Sequence, residues 1–355
     1  MRNDVIDEDF PHCSASTMPF VGKSGEHEPL GRIPWSMPLD LQTFHWSHLW
    51  KTLRARVPDD VYHAGQAITG ADVLDERTVG VRTADGDDAE FDLLIFADGA
   101  QSLGRRLLFP DVQLLYRGYA LWRGLLPETS IDDTAPIDST VPRISHRHQP
   151  GDTVMYFIPG RDGSIEPGSR LCNWASYVPL REESIPRFMT DSSGRQREGM
   201  IPPGSMRLDE EQRLKQMALD NLPQWYANVI ARTENTYAHL IYTVDVPSYY
   251  KGRMCLIGDA GAVIQPFTGS GIFKGYNNVR SLIDALQDQG SVDRALRQWD
   301  AMQVVIGRRL LALGEQMEQA FIWNPIDLST ADEKATREWW QSSVRFPEDF
   351  NLQRR

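Results

Sequence analysis

The chain has little cysteine, no long apolar run and no excess of positive charge, and each shortage excludes a class of function. Its 355 residues include three cysteines, Cys13, Cys172 and Cys255, far apart in sequence. That supports neither a disulfide framework nor a paired-thiolate metal site, and it fits a reducing compartment. The longest apolar stretches, such as Leu93 to Ala97, fall far short of the roughly 20 residues of a membrane-spanning helix. Acidic residues outnumber basic ones, 49 to 37, for a formal net charge of −12. A nucleic-acid partner, which calls for a basic face, is therefore not expected. The opening MRNDVIDEDF lacks the pattern of a secretory or mitochondrial leader. A cytoplasmic protein is expected, with no membrane partner.

What is present reads as a globular enzyme-sized chain. Hydrophobic residues make up 41% and charged residues 24%, enough for a core in one large or two ordinary domains. Residues 1–40 carry Pro11, Pro19, Pro29, Pro34 and Pro38 and read as irregular chain lying against another part of the molecule. From Gln42 a helix is expected, with Phe44, Leu49 and Leu53 on one face and Trp46 and Trp50 beside them. VGVRT, a turn at ADGDD and FDLLIFADG read as a hairpin leading into a buried strand, Phe91 to Ala97, apolar on both faces.

Beyond Pro110 the aromatic, β-prone runs YRGYALWRG, TVMYFIPG, RLCNWASYV and TYAHLIYTV predict a separate sheet over residues 112–245. A helical pair from Asp209 to Thr233 interrupts it, broken at Pro223. A second buried strand, Met254 to Ile257, precedes GDAGAVIQPFTGSG. A helix follows whose apolar face is Ile272, Tyr276, Val279, Ile283 and Leu286. The last long helix runs from Val292 to Phe321, with Leu296, Trp299, Ile306, Leu310, Leu313 and Met317 at helical spacing. The tail after it is polar and charged.

Two segments carry chemistry. In residues 258–271 a strand ends in Gly258-Asp259, placing a carboxylate at the carboxyl edge of a sheet where it can accept hydrogen bonds from a polyol. Gly269, Ser270 and Gly271 let backbone N–H groups approach a flat ring or a phosphate, and the next helix aims its positive end there. In residues 97–106 another strand ends in Asp98-Gly99, followed by Ser102 and Arg105, whose guanidinium fork suits a phosphate. Read alone, each is also an ordinary strand–turn–helix connection. His45 and His48, and His146 and His148, have ligand spacing but no carboxylate or thiolate to complete a site, so no metal is expected.

Together the segments resemble a known family. Asp98, Gly99, Ser102 and Arg105 look like the DGxxSxxR motif of the FAD-dependent aromatic hydroxylases, and Gly258-Asp259-Ala260 with Pro266 and Gly269-Ser270-Gly271 looks like their GD motif. Within that family the chain is most similar to the 2,6-dihydroxypyridine 3-hydroxylase branch. The likeness there rests on Trp46, Leu49 and Trp50; on Tyr116, Gly118, Tyr119, Trp122, Arg123 and Gly124; and on Asn173, Trp174 and Tyr177. It covers about residues 40–320. The resemblance implies an α/β (α+β) fold: a Rossmann-like FAD-binding domain, an inserted, mainly antiparallel β-sheet substrate domain and a long C-terminal helix. The expected boundaries are 1–108 and 246–292 for the FAD domain, 109–245 for the substrate domain and 293–355 for the C-terminal helix and tail.

It also implies FAD and NAD(P)H as cofactors, and hydroxylation of an electron-rich aromatic or heteroaromatic small molecule with O2. Asp98, Gly99, Arg105, Gly258, Asp259, Pro266, Gly269, Ser270 and Gly271 would hold the cofactor, with Asp259 on the ribityl chain and Arg105 on a phosphate. Tyr119, Trp122, Tyr177, His239 and Tyr242 would wall the substrate pocket.

The departures are as informative. The chain contains no G-x-G-x-x-G turn, since Gly22 and Gly25 in VGKSGE lack a third glycine, and Thr17 rules out a Walker loop. The FAD-binding domain is therefore expected to be incomplete, its hydrophobic edge covered by residues 1–40 or by a second copy in a homodimer. Gly261 replaces the usual alanine, and Gln265 and Phe267 flank Pro266 where the branch often has arginine and histidine. Two rival readings stay open at this point: a non-redox isomerase or cyclase that has lost flavin, and an inactive, N-terminally truncated hydroxylase.

Overall fold

The computed structural model describes residues 9–25 and 28–345. The chain runs β1 (Cys13–Gly22), β2 (Arg32–Thr43), α1 (Trp46–Arg54), β3 (Ile68–Val73), β4 (Val79–Thr83), β5 (Asp88–Phe91), β6 (Leu94–Phe96) and α2 (Leu103–Leu108). Next come β7 (Leu115–Pro127), β8 (Arg143–Ser145), β9 (Asp152–Ile158), β10 (Leu171–Pro179), α3 (Ile185–Phe188), β11 (Met200–Ile201), α4 (Leu208–Asn221), α5 (Gln224–Arg232) and β12 (Tyr237–Thr243). The last elements are β13 (Tyr250–Lys251), β14 (Met254–Leu256), α6 (Gly271–Gln289), α7 (Val292–Glu318) and α8 (Glu333–Ser343). No described helix is long and apolar enough to cross a membrane.

Two compact units emerge. One holds the described residues up to 61 together with 118–241 and 319–343; the other holds 62–117 and 242–318. Residues up to 61 and 319–343 thus share the sheet unit, and 293–318 belong to the other.

The first unit is built on an eight-stranded sheet of order β11-β12-β7-β10-β9-β8-β1-β2. Its strands alternate inward and outward, so the register fixes what each face carries. Trp122 pairs with Ser176 and Trp174 with Gly124, which puts both tryptophans on one face. There they meet edge-on, ring centroids 4.8 Å apart, and the Trp174 indole donates to Thr233 Oγ1 just past α5 at 2.9 Å. A Cβ on Gly124 would stand 2.6 Å from both Thr233 and Trp174, so only glycine admits this approach. The opposite face carries Tyr119, Arg123, Asn173, Tyr177 and Tyr156.

The described residues up to 40 are not irregular chain. β1 and β2 pair antiparallel from Cys13↔Thr43 to Gly22↔Arg32 and extend this sheet. Pro34 and Pro38 lie in β2, the edge strand, where a missing N–H breaks no ladder. The tail also holds an unexpected helix, α8. It packs on β2, with Trp339 and Trp340 edge-on to Phe20 and Trp340 stacked on Phe321 at 5.7 Å.

The second unit joins β13, β14 and β6 in one sheet and β3, β4 and β5 in another. β6 and β14 are neighbours and parallel, with Leu94↔Met254, Ile95↔Cys255 and Phe96↔Leu256. The core contains Phe96, Cys255, Leu256, Leu282, Leu296, Trp299 and Tyr249. Two expectations fail here. The strand ending at Asp98 is not buried on both faces, because β6 is the outer strand: Cys255 is fully buried, while its partner Ile95 is 43% exposed. Most of the apolar stripe of α6 also faces outward, only Leu286 of it packing against the core.

Ile272, Tyr276, Val279 and Ile283 are exposed, while Lys274, Asn278 and Leu282 are buried. Tertiary hydrogen bonds override the amphipathic pattern. Asn278 accepts from Gly258 N–H at 2.8 Å and donates to Gln303 at 2.7 Å, and Trp299 donates to the Asn278 carbonyl at 3.0 Å.

This inverted helix predicts an inverted pattern of mutational cost. Leu282→Ala should lower stability by about 2–5 kcal/mol in chemical denaturation. Ile283→Lys, one residue on and apolar by sequence, should change it by less than about 0.5 kcal/mol. Equal costs would mean that the exposed face is covered in solution.

Candidate functional site

The two aspartate turns, Asp98-Gly99 and Gly258-Asp259, lie at the carboxyl ends of adjacent parallel strands, β6 and β14. Asp98 accepts from the N–H groups of Leu103 (2.7 Å) and Gly104 (3.2 Å), and Ser102 Oγ accepts from Arg105 N–H at 2.9 Å. Both side chains thus cap the short helix α2. Gly104 is required, because a Cβ there would fall 2.1 Å from the Phe96 ring. Gly99 takes φ +75° and has open space where a side chain would be.

Arg105 does not do what its residue type implied. It is buried, with 3% exposure. Its guanidinium donates to the carbonyls of Asp259 (3.2 Å) and Ala260 (3.1 Å) and to that of Ala100. Burial lowers its pKa, partly offset by Asp98 and Asp259. The fork that suited a phosphate is engaged by backbone oxygens, so Arg105 ties the two turns together.

Gly258 sits at φ +59°. Asp259 is half-exposed, and its Oδ1 accepts from Lys274 Nζ at 2.7 Å. That ammonium is buried and also donates to the Ala262 carbonyl; burial pulls its pKa down while Asp259 pulls it up. Beyond Asp259 the chain makes a short turn at Pro266 and enters α6 through Gly269, at φ +65°, and Ser270. The N–H of Gly269 is used inside that turn, on Pro266 O, and that of Ser270 on Thr268 Oγ1. The first intrahelical bond runs from Lys274 N–H to Ser270 O. The N–H groups of Gly271, Ile272 and Phe273 therefore stand ahead of it at the positive end of α6. The donors are thus shifted two residues along from Gly269–Gly271, with Gly271 common to both sets. A Cβ at Gly269 or Gly271 would meet nothing within 4 Å, so the approach is open.

The unusual residues of this loop have local causes. A Cβ on Gly261 would lie 2.3 Å from the Tyr249 ring, which explains glycine where alanine is usual. Gln265 is fully buried and donates to Glu318 at 3.0 Å; Glu318 in turn takes two hydrogen bonds from Arg117, at 2.9 and 2.7 Å.

Of the expected pocket residues, Tyr119 and Tyr177 share one face of the large sheet, 6.1 Å apart. Trp122 lies on the opposite face, because it is one residue out of phase with Arg123. Tyr242 likewise alternates away from His239 on β12, near Tyr116 at 5.6 Å. The Tyr119 face brings in residues that sequence reasoning did not single out for the site. Arg123 Nη2 donates to Asn173 Oδ1 at 3.4 Å, and its guanidinium lies 5.7 Å from the Tyr237 ring centroid. Tyr156 stands opposite Asn173. Tyr237 and His239 rings lie 5.7 Å apart. Counting by twos along β7 from Tyr119 would have found Arg123.

A family model described as FAD binding domain-like matches residues 116–243. The chain is 24% identical, over 78% of its length and 68% of the relative's, to 2,6-dihydroxypyridine 3-monooxygenase of Paenarthrobacter nicotinovorans. It is 27% identical, over 77% and 61%, to 3-amino-4-hydroxybenzoate 2-monooxygenase of Streptomyces cremeus. In sequence the chain resembles these aromatic monooxygenases, and the likeness to hydroxylases of known structure extends to the fold. The structure of 2,6-dihydroxypyridine-3-hydroxylase from Arthrobacter nicotinovorans superposes with TM-score 0.81 at 21% identity, over 91% of this chain and 80% of that one. A salicylate hydroxylase substrate complex gives 0.73 at 14% identity, over 96% and 82%. The matches leave between a fifth and two fifths of these proteins outside the aligned length.

The tight contact in the loop gives a direct test. Gly261→Ala should destabilise the protein by about 1–3 kcal/mol through overpacking. A double-mutant cycle with Tyr249→Leu should recover about 1 kcal/mol of that as coupling. Additive effects would show that another contact excludes the methyl group.

Proposed function

We propose that this protein is a monooxygenase that binds FAD at the paired aspartate turns and hydroxylates an electron-rich aromatic or heteroaromatic small molecule, with NAD(P)H as reductant and O2 as co-substrate. The observation that carries the reading is the parallel β6–β14 pair ending in Asp98 and Asp259, beside the open N-terminus of α6. Both relatives named above are aromatic monooxygenases by name.

The residues fit one half of FAD. Asp259 has a half-exposed carboxylate suited to ribityl hydroxyls. Gly99, Gly269 and Gly271 present open backbone, and the N–H groups of Gly271, Ile272 and Phe273 suit an electron-rich ring edge or a phosphate. Bound flavin would supply redox chemistry that side chains lack. The protein's part is to hold the ring system, position the aromatic substrate and keep water from the reacting centre. The adenine half finds no G-x-G-x-x-G turn in this sequence.

Three measurements test this. FAD added to the purified chain should quench its flavin fluorescence, and FMN should bind within about tenfold of FAD, since the adenine half adds little without its glycine turn. Much tighter FAD binding would place an adenine site in other residues. Asp259→Asn should weaken flavin binding about ten- to hundred-fold, the loss of a charge-assisted hydrogen bond of about 1.5–3 kcal/mol. Asn is preferred to Ala because Asp259 partners the buried Lys274, and stranding that ammonium costs roughly 3 kcal/mol. Unchanged affinity in Asp259→Asn would refute the role. The flavin-loaded protein should oxidise NADH or NADPH faster when 2,6-dihydroxypyridine or an aminohydroxybenzoate is present, with one oxygen atom added to the ring. Failure of the wild-type chain to bind any flavin would return the argument to a non-redox enzyme on the same scaffold.

A further inference from the structure

Among the described residues, the half-buried Arg123 of the large sheet has no counter-charge. Arg143 pairs with Asp152 at 2.8 Å and Arg170 with Glu128 at 2.6 Å. Arg123 is half-buried on β7, and among the described residues no carboxylate comes within ion-pair distance of it. Its contacts are the long hydrogen bond to Asn173 and the face of Tyr237. Its Nε is buried without a hydrogen-bond partner, and so is Nδ2 of Asn173, a residue only 3% exposed. Two donors on different side chains are thus unsatisfied on the same face of the sheet.

Leaving a buried donor unpaired is costly, and more so beside an unpaired charge. One acceptor bearing negative charge would satisfy both. Aromatic surface surrounds the pair: Tyr156 opposite Asn173, Tyr237 under the guanidinium and His239 next to Tyr237. Burial and the Arg123 charge push His239 down to about 4, so it is neutral near pH 7 and adds no second cation. A flat ring would pack among these side chains, and an ionised oxygen on it would reach the two N–H groups.

We propose that Arg123 and Asn173 form an oxyanion subsite that binds a planar aromatic anion through its ionised oxygen. The hydroxylase reading is what makes this anion a substrate, and on that reading the subsite has a chemical purpose: a phenolate ring is far more electron-rich than the neutral phenol. The binding itself requires no flavin.

The test is equilibrium binding of 4-nitrophenol to the full chain, read from the absorbance of its ionised form as a function of pH. The bound dye should ionise at a lower pH than the free dye. 4-Nitroanisole, which cannot ionise, should bind at least about tenfold more weakly. Arg123→Met should abolish the ionisation shift and weaken binding about ten- to hundred-fold, while Arg123→Lys should retain part of both. Asn173→Ala should weaken binding with the shift partly kept. Thermal melts of each variant separate lost binding from lost folding, and Arg123→Lys keeps the test usable if Arg123→Met does not fold.

Competition by benzoate would extend the site to carboxylates; its absence would restrict it to phenolates. The proposal is overturned if wild-type protein binds neither phenolate nor benzoate, if it binds nitroanisole equally well, or if folded Arg123→Met is unaltered. Phenolate binding that depends on Arg123 in a protein unable to bind flavin would sink the hydroxylase reading and leave the subsite standing. Normal hydroxylation with an unchanged pH profile in Arg123→Met would do the reverse.

Discussion

The arrangement of the second unit depends on one guanidinium. Arg105 leaves α2 and donates to carbonyls on both aspartate turns, Ala100 on one side and Asp259 and Ala260 on the other. Strand pairing alone would bring the ends of β6 and β14 to the same edge. It would not fix the loops beyond them, because neither turn has a ladder to hold it. A buried cation bonded to carbonyls from both loops makes their separation a property of the core. The carboxylates stay out of this clamp: Asp98 caps α2, and Asp259 faces partly outward beside Lys274.

The second constraint is the polar underside of α6. A helix with Ile272, Tyr276, Val279 and Ile283 at helical spacing would ordinarily bury that stripe. Here Lys274 and Asn278 take the inner position because each reaches the GD loop, Lys274 to Asp259 and Ala262, Asn278 to Gly258. Each such bond contributes about 1 kcal/mol or more, and leaving the loop's buried groups unpaired costs about as much again. The apolar side is left at the surface, as is Ile95 on the outer strand. The helix that gives up its burial pattern is the one whose N-terminus must be held against the loop.

The features that survived the passage from sequence to structure are those set by short-range pattern. The two strands ending in aspartate turns, the aromatic sheet and the helical pair broken at Pro223 all appear where alternation and turn residues put them. The misreadings share one origin: periodicity identifies apolar positions but not the side the protein covers. The α6 stripe failed for that reason. Residues 1–40 failed because prolines were read as breakers, whereas Pro34 and Pro38 occupy an edge strand that needs no N–H. Helix α8 was hidden in a charged tail because its own large apolar residues are only Trp339 and Trp340. In the site, partners add what residue type leaves open: Arg105 braces the two turns, and Trp122 is buried on the face of the sheet opposite Tyr119.

The arginines show how far partners can separate scaffold from site. All carry the same charge, and the molecule treats them in three ways. Arg143, Arg170 and Arg117 face carboxylates, so their charge is neutralised where it lies. Arg105 has no paired carboxylate but spends its donors on three carbonyls, which suits a group whose task is to hold backbone. Arg123 has neither arrangement. Its one polar contact, Asn173, is neutral and itself has an unsatisfied donor. Arg143 too has buried N–H groups without a partner, but it faces Asp152, whereas Arg123 faces no carboxylate among the described residues. Neither Tyr237 nor the neutral His239 can carry the missing negative charge. What sets Arg123 apart is the missing anion, and in sign that gap matches an oxygen anion on a flat ring.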